Sequence, residues 1–292
     1  MPLFSVCIPH YGSERLLLEA VKSVAVQTVR DFELIISLDS PVSDAALTHI
    51  RELVPDVKIT QCPTSGIAQN WNHSVEQATG EYTVLLHSDD KLKLGYLGLM
   101  NKLIQQYDVA DAWFCGVALI DECGQATWSF ADSVKTWIEP AQQEYCLEGD
   151  LGLAQILKGC FVYCPTICYR SEVIKEFGFS ERWGMVLDLD LYARLLMGGK
   201  CIVGTRDVQF EYRRHSQSTT AQLTKDRTRF EEEWMLYQLV TEQAETIAWQ
   251  KTAAVAKRKL ILRLHALFCS AKALAALEVK LSLAYFRQAL VK

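Results

Sequence analysis

The residues best suited to chemistry lie in one stretch, 65–90, of this 292-residue chain. Asp89 and Asp90 follow the apolar run Tyr82 to Leu86, which is short enough to be a buried strand. Adjacent acids repel each other unless a cation or hydrogen-bond donors compensate. Acidic oxygens beyond the carboxyl end of a sheet strand suit a hard divalent cation, and such a cation suits a diphosphate. A helix N-cap followed by a first-turn acid explains the same pair equally well.

Three further positions could serve such a site. Asp39 closes a strand-like run, Asp188 starts a helix-like one, and His215 lies in a polar loop. Each also has a plain structural interpretation. Asp39 could begin a turn and His215 could simply be solvated. Asp188 could cap its helix, beside an i,i+4 pair between Asp190 and Arg194 that is worth roughly 0.2–0.5 kcal/mol.

The first half of the chain alternates strand-like and helix-like segments. The predicted strands are Phe4–Pro9, Phe32–Leu38, Val57–Gln61 and Tyr82–Leu86, and the helices between them are 13–27, 45–53 and one that is capped by Ser65. This alternation is typical of an α/β fold with a mainly parallel, doubly wound sheet and ligands at its carboxyl edge. No G-x-G-x-x-G follows the first strand and no Walker A sequence occurs, which disfavours dinucleotide dehydrogenases and P-loop enzymes.

The second half has a more mixed pattern. The predicted strands are Trp113–Leu119, Phe161–Tyr169, Cys201–Thr205 and Val208–Tyr212, with a helix over Asp188–Met197. From about Thr224 onward the chain is predicted to be nearly all helical. We therefore expect a catalytic domain over 1–220 and a helical C-terminal extension over 221–292.

Composition bounds the class of protein. Half of the residues are hydrophobic, so a disordered chain is excluded, and no apolar run is long enough for a transmembrane helix. The ten cysteines are scattered, and because the first strand-like run begins at Phe4 we expect no signal peptide. We expect reduced thiols in a cytoplasmic protein. Cys160, Cys164 and Cys168 form no C-x-x-C pair, so buried strand cysteines are favoured over a metal site.

The net charge of −5 is unevenly distributed. Residues 251–292 carry nine Lys/Arg and a single acid, Glu278, whereas the rest of the chain is acidic. An acidic body argues against a nucleic-acid-binding protein. The basic, leucine-rich tail could make peripheral contact with an anionic membrane leaflet. It could equally pack on the catalytic domain or on a twin subunit.

Taken in order, five segments resemble the family 2 glycosyltransferases, which have the GT-A fold. They are SVCIPHYG at 5–12, ELIISLDS at 33–40, SGIAQNWNHSVEQATGEYTVLLHSDD at 65–90, LDLDLYARL at 187–195 and YRRH at 212–215. The resemblance covers about the first 220 residues. It implies transfer of a sugar from a nucleotide-diphosphate donor, a UDP-sugar foremost, to a hydroxyl group with inversion.

The resemblance also implies roles for individual donor-side residues. Pro9 and Tyr11 would lie in the loop that packs against the base, and Asp39 would hydrogen-bond the base or ribose. Asn70 matches an asparagine of the donor-site helix. His87 stands where the family usually has the first acid of its D-x-D motif, and it could ligate a metal or hydrogen-bond a ribose.

Three residues match the metal-binding and catalytic positions of the family. Asp89 matches the last acid of D-x-D and would bind Mn²⁺ or Mg²⁺, with His215 completing the metal site. Asp188 matches the general base that deprotonates the acceptor hydroxyl. The chain departs from the family at His87 and also at Leu38 and Leu187, which replace common acids. Because the three matching residues are retained, we expect a working enzyme.

The expected acceptor is a glycan or lipid-linked glycan, in surface polysaccharide synthesis. Its specificity would depend on 120–165, where Trp128, Trp137 and Tyr145 could stack on sugars or belong to the core. A sugar nucleotidyltransferase is disfavoured because its phosphate loop after the first strand is missing. From another class, the chain could be a non-catalytic glycan- or nucleotide-binding scaffold with a degenerate D-x-D motif.

Overall fold

The structure, a computed structural model, describes residues 1–215 and 223–290. Its strands are β1 (Phe4–His10), β2 (Phe32–Leu38), β3 (Lys58–Gln61), β4 (Tyr82–Leu85), β5 (Lys91–Leu92), β6 (Ala112–Ile120), β7 (Glu144–Leu147), β8 (Ile167–Arg170) and β9 (Ile202–Arg213). Its helices up to the last strand are α1 (Glu14–Ala25), α2 (Asp44–Leu53), α3 (Ile67–Glu76), α4 (Tyr96–Gln106), α5 (Phe130–Ile138), α6 (Gly149–Leu157), α7 (Ser171–Phe177) and α8 (Leu187–Met197). After β9 follow α9 (Thr228–Thr246), α10 (Gln250–Arg258), α11 (Leu260–Ala275) and α12 (Val279–Leu290).

All nine strands form one sheet in the order β3-β2-β1-β4-β8-β6-β9-β5, and β7 also pairs with β9. The first four strands in this order are parallel. β8 is antiparallel to both of its neighbours, and β6 runs parallel to β9. The predicted doubly wound α/β fold is confirmed. The parallel part lies in the first half, and the second half makes the sheet mixed.

Helices cover both faces of the parallel strands, so β1 is buried along its whole length. Side chains alternate between two cores because successive strand residues point to opposite faces. Val6 and Ile8 pack in a core with side chains of α1 and α4, while Cys7 packs in the other with side chains of α3, α6 and α8. A strand buried on both faces reads as a continuous apolar run, which is why β1 is recognisable from the sequence.

The largest errors of prediction fall in the second half. The strand predicted at Phe161–Tyr169 is wrong over its first part, because Pro165 lies in a 3₁₀ turn, Cys164–Thr166, that precedes β8. The two strands predicted around residue 206 are one strand, β9. Its register against β6 shifts where Gly204 pairs with Phe114 and Val208 with Gly116, so the residues between them bulge and interrupt the alternation.

The cysteine prediction needs a correction. Cys146 in β7 is paired with Cys201 as a disulfide, so these two thiols are not reduced as expected. The other eight cysteines are free. Cys168 is a buried strand residue as predicted, whereas Cys164 lies in the 3₁₀ turn.

The C-terminal helices fall into two layers. Side chains of α9 and α10 contribute to the same core as α6 and α8. A small core of Phe230, Ala266, Ala273, Tyr285 and Ala289 joins α11 and α12 to the start of α9. The domain boundary near residue 220 stays a prediction. Over the described ranges, 1–215 and 223–290, we find no helix with the length and hydropathy that a membrane span requires.

Candidate active site

The residues that the sequence predicts to bind the nucleotide-sugar donor gather at one edge of the sheet, which we call the donor edge. β1, β2 and β4 are parallel neighbours, so their carboxyl ends lie side by side. The backbone N–H of Asp39, just after β2, donates to the carbonyl of His10 at 2.9 Å. The N–H of Leu86, just after β4, donates to the carbonyl of Cys7 at 2.9 Å. The segments that follow the three strands therefore meet at this edge.

Asn70 holds the helix below that edge in place. Its Oδ1 accepts a hydrogen bond from Ser37 Oγ at 2.5 Å, and its Nδ2 donates to the His10 carbonyl at 3.2 Å. The side chain is buried. Asn70 therefore supports the donor edge from beneath. Pro9 is buried in β1, and Tyr11 is exposed in the loop after it.

Asp39 has a structural contact that the sequence did not suggest. Its Oδ2 accepts a hydrogen bond from the backbone N–H of Gly66 at 3.0 Å. Gly66, with φ +147°, precedes α3, and a Cβ added there would come within 2.1 Å of Gln69 Oε1. The prediction that Ser65 caps α3 is therefore wrong, because Gly66 occupies the cap position and Asp39 binds its N–H.

The imidazole ring of His87 is fixed by packing, and its Nε2 is available to a ligand. It packs on Trp71, with ring centroids 4.8 Å apart. Burial lowers the pKa of His87, against the opposing effect of Asp89. Its Nε2 has no hydrogen-bond partner among the residues that the structure describes. A neutral imidazole of this kind can ligate a cation or accept a hydrogen bond.

Asp89 and Asp90 have different environments. Burial works against the charged form of Asp89, but the hydrogen bond from His215 and the nearby His87 lower its pKa. Asp89 Oδ2 lies 3.0 Å from Nε2 of His215, which is two residues beyond the end of β9. Asp90 Oδ1 accepts the N–H of Arg213 at 2.7 Å, and burial raises the pKa of Asp90 well above its usual value. The structure therefore brings the predicted pair Asp89 and His215 together.

The residues at this edge fit a divalent cation. His87, Asp89 and Asp90 each offer a ligand atom within 4.8 Å of the others, and His215 contacts Asp89. Within the described ranges, Asp90 Oδ2, like His87 Nε2, lacks a hydrogen-bond partner. Buried polar atoms without partners are costly, and a cation would satisfy both of these. Carboxylate oxygens with imidazole nitrogens suit Mn²⁺.

Arg213 orders the cluster and was missed from the sequence. Its Nε donates to the carbonyl of Asp89 at 2.7 Å, and Nη1 donates to the carbonyls of Asp121 and Glu122. Nη2 pairs with Glu19 at 2.6 Å. One signal in the sequence could have indicated it. Arg213 lies two residues before His215 in the motif YRRH, and alternate residues of an extended chain point to the same side.

Asp188 lies at the start of α8 and is half-buried. Its Oδ1 accepts the N–H of Leu189 at 2.8 Å. Burial raises the pKa of Asp188, and the hydrogen bond and the cations of Lys135 and Arg229 only partly oppose this. Such a carboxyl is a stronger base than a solvated one. The pair between Asp190 and Arg194 is present at 2.7 Å, so Asp190 has the structural role predicted for it.

Glu232 of α9 fixes the loop before Asp188. Its carboxylate accepts hydrogen bonds from the backbone N–H groups of Gly184, Met185 and Val186, at 2.7–3.3 Å. The first C-terminal helix therefore positions the loop that leads into α8. No local sequence pattern predicts this contact, because the two segments are far apart in the chain.

A cationic and aromatic wall lies beside His215. Arg214 forms an ion pair with Asp132 of α5, and Tyr163 Oη donates to the same carboxylate at 2.7 Å. Lys135 Nζ lies 3.9 Å from the centroid of the Tyr163 ring. Of the aromatic residues expected to face sugars, Trp128 and Trp137 are exposed. Tyr145 is not, because it is buried against Phe114 and Phe161 and belongs to the core.

This sheet order, with an acid and imidazole cluster at its carboxyl edge, defines a fold of the GT-A type. The chain belongs to glycosyl transferase family 2, whose model matches residues 5–176, more than half of its length. The resemblance noted in the sequence is thereby confirmed.

Curated relatives support the same class. The GalNAc(5)-diNAcBac-PP-undecaprenol beta-1,3-glucosyltransferase of Campylobacter jejuni is 32% identical over 136 residues, which are 45% of this chain and 43% of that protein. The alignment thus spans less than half of that relative. Glycosyltransferase GlyG of Streptococcus pneumoniae is 23% identical over 235 residues, which are 80% of this chain and 75% of that protein.

Solved structures share the fold at low sequence identity. S. aureus TarS 1-349 in complex with UDP-GlcNAc has a TM-score of 0.62 at 18% identity, covering 80% of this chain and 65% of that one. The mannosyltransferase PcManGT from Pyrobaculum calidifontis, in complex with GDP-Man and Mn²⁺, has a TM-score of 0.60 at 15% identity, covering 99% and 86%. At these identities the likeness shows the fold alone.

Proposed function

We propose that this protein is a metal-dependent, inverting glycosyltransferase that uses a nucleotide-diphospho-sugar. The observation that carries the proposal is the cluster of His87, Asp89, Asp90 and His215, with two unpartnered ligand atoms at the carboxyl edge of a parallel sheet. Asp188 supplies a separate carboxyl with a raised pKa. A metal-bound diphosphate and a general base are the two requirements of this chemistry.

The donor and acceptor are proposed from the relatives. Proteins of the same fold are described in complex with UDP-GlcNAc and with GDP-Man and Mn²⁺, which favours a nucleoside diphosphate sugar, a UDP-sugar foremost. The name of the Campylobacter jejuni relative specifies an undecaprenol-diphosphate-linked glycan. We therefore propose a glycan or lipid-linked glycan acceptor, in synthesis of surface polysaccharide from cytoplasmic donors.

In the proposed reaction, Asp188 orients the acceptor hydroxyl and accepts its proton. The hydroxyl oxygen forms a bond to the anomeric carbon as the bond from that carbon to the diphosphate oxygen breaks, which inverts the configuration. The nucleoside diphosphate leaves with the bonding electrons. Bound by Asp89 and His215 together with His87 or Asp90, a divalent cation would supply positive charge against the leaving diphosphate.

Asp188→Asn tests the proposal. An amide cannot accept the proton, so we expect transfer to fall by roughly 10²–10⁴-fold while donor binding is kept. Asp190→Asn is the matched control two residues away. It breaks the pair with Arg194, so we expect near-normal transfer and a stability loss of about 1–2 kcal/mol.

The result would also separate the enzyme from the scaffold. The neutral His87 in place of an acid is the observation that favours a scaffold with a degenerate motif. Wild-type protein that binds nucleotide but transfers no sugar in any screen, with Asp188→Asn indistinguishable from it, would overturn the enzymatic proposal. The anomeric configuration of the product, read by NMR, tests inversion.

A further inference from the structure

The last two helices expose large apolar side chains in two regular stripes. In α11 the stripe consists of Leu260, Leu264, Leu267, Phe268 and Leu274. In α12 it consists of Val279, Leu283, Phe286 and Leu290. Between 41% and 62% of each of these side chains is exposed. At 100° per residue each set lies on one side of its helix, as in an amphipathic helix with an apolar partner.

The other sides of the two helices are already in use. Small residues lie there, among them Ala266, Ser270 and Ala273 in α11 and Ser282 and Ala289 in α12. Ser270 Oγ donates to the carbonyl of Ser282 at 2.9 Å, which holds the helices close together. Leu262 and Tyr285 are buried on the same sides, so packing covers one side of each helix and leaves the apolar stripes exposed. Exposed apolar side chains grouped in this way are typical of an interaction site.

The apolar surface continues onto the catalytic domain. Phe268 of α11 stacks on Phe130 of α5, with ring centroids 5.5 Å apart and planes 27° apart. Phe130 in turn contacts Trp137 edge-on, with centroids 6.4 Å apart. Both α5 residues are exposed. The same helix carries Asp132, which binds Arg214 next to His215, so the surface reaches the neighbourhood of the active site.

Positive charge accompanies the stripes. Between residues 251 and 290 the exposed cations are Lys251, Lys257, Arg258, Lys272, Lys280 and Arg287, and Glu278 is the only acid in the sequence from 251 to 292. At 100° per residue, Lys272 lies beside the α11 stripe, and Lys280 and Arg287 lie beside the α12 stripe. Leucine and phenylalanine flanked by lysine and arginine is the pattern of a helix that lies in the headgroup region of a bilayer.

We propose that this surface docks the protein on a phospholipid bilayer that contains anionic lipids. Charge complementarity selects this partner, because anionic headgroups attract the flanking cations while acyl chains take up the apolar stripes. A second copy of the chain fits less well. A two-fold interface would place the same positive surface against itself, with no acid but Glu278 to compensate.

The test uses the full chain and vesicles, without donor or acceptor, so that it does not depend on the proposed reaction. Sedimentation with phosphatidylcholine vesicles, with and without phosphatidylglycerol, gives the bound fraction. We expect binding to the mixed vesicles and little to phosphatidylcholine alone. Leu283→Ser/Phe286→Ser should weaken binding on the order of tenfold or more, because two anchoring side chains are lost.

Two further variants complete the test. Leu94→Ser/Val109→Ser, which changes two exposed apolar residues elsewhere, should bind like the wild type. Lys280→Glu/Arg287→Glu should remove the preference for phosphatidylglycerol. Equal vesicle binding by the wild type and Leu283→Ser/Phe286→Ser, or none by either, would overturn the proposal. So would light scattering that shows a dimer which this variant converts to a monomer, since a second copy would then occupy the surface.

Discussion

The donor edge and the C-terminal helices both contain groups whose interactions are incomplete, but the groups are of opposite kinds. At the donor edge two buried polar atoms, His87 Nε2 and Asp90 Oδ2, lack hydrogen-bond partners among the described residues. In α11 and α12 large apolar side chains are exposed instead. A buried polar atom without a partner calls for a small polar ligand, whereas an exposed apolar stripe calls for an extended apolar surface.

The two regions also differ in how rigidly they are built. Asp39, Asn70 and Arg213 bind backbone groups at the donor edge, so the cluster is fixed before any ligand arrives. Preorganised groups of this kind are typical of catalytic sites. The C-terminal stripes rest on a small core of five residues, which suits a surface that makes many weak contacts. We therefore expect that ligand binding at the donor edge and contacts of the C-terminal stripes can each be impaired without affecting the other.

The largest expected effect concerns the support of the donor edge. In Arg213→Met the buried carboxyl of Asp90 loses a neighbouring cation, and the Asp89 and Asp121 carbonyls lose their donor. We expect the free energy of unfolding, measured with urea, to fall by about 3–5 kcal/mol. Arg206→Met on the same strand is the control, and its loss should be about 1 kcal/mol or less. Equal losses in both variants would contradict the structural role of Arg213.

The pH dependence of transfer comes next in size. Because burial raises the pKa of Asp188, the base is protonated, and transfer falls, at a higher pH than for a solvated aspartate. Below that pKa kcat/KM should fall about tenfold per pH unit. Donor binding is measured over the same range, so that loss of the donor is not mistaken for protonation of the base. A full rate down to pH 4 would argue against Asp188 as the base.

The raised pKa has a second consequence, for stability. A carboxyl whose pKa is higher in the folded than in the unfolded state destabilises the fold when it is ionised. Asp188→Asn should therefore be at least as stable as the wild type at pH 7, although its transfer rate should be much lower. A clear loss of stability in this variant would assign Asp188 to the architecture instead.

His87→Asp sharpens the interpretation of the polar cluster. A third carboxylate beside Asp89 and Asp90 should strengthen Mn²⁺ binding, on the order of tenfold. Without a cation the added like charge should lower the stability of the protein. Calorimetric titration with Mn²⁺ and thermal unfolding with and without the ion measure the two effects. Unchanged Mn²⁺ affinity would place the cation away from residue 87.

The smallest effects are expected where a change in one region is measured by the function of the other. Leu283→Ser/Phe286→Ser should change nucleotide affinity by less than about twofold, because the stripes lie outside the donor edge. Conversely, Asp89→Ala should bind anionic vesicles like the wild type. A large effect of either change on the other region would show that the two regions are coupled.

The sequence was most informative where local pattern and structure agree. β2 has the predicted bounds, as its local pattern indicates. Asp89 meets His215 although 125 residues separate them, and the resemblance to the family implied this pair where local pattern did not. The cap of α3 was predicted wrongly. Ser65 has the right chemistry, but the long-range contact of Asp39 with Gly66 decides where the helix begins.

Other features depend on contacts that no local pattern encodes. Arg213 and Glu232 bind backbone groups of segments that are distant in the chain. The bulge in β9 interrupts the alternation of its residues, so the sequence pattern predicts two strands where the structure has one. The basic tail was recognised from the sequence, but the exposure of its apolar stripes was not, because periodicity cannot tell which side of a helix is covered.

If the cluster at the donor edge binds a nucleoside diphosphate through a divalent cation, calorimetry should detect that binding. The titration compares UDP, GDP, dTDP and CMP, with and without Mn²⁺, on the wild type and on Asp89→Ala. We predict binding of one of these nucleotides that requires Mn²⁺ and is lost in Asp89→Ala. Absence of binding to all of them, or binding that is indifferent to both the cation and Asp89, would contradict the account.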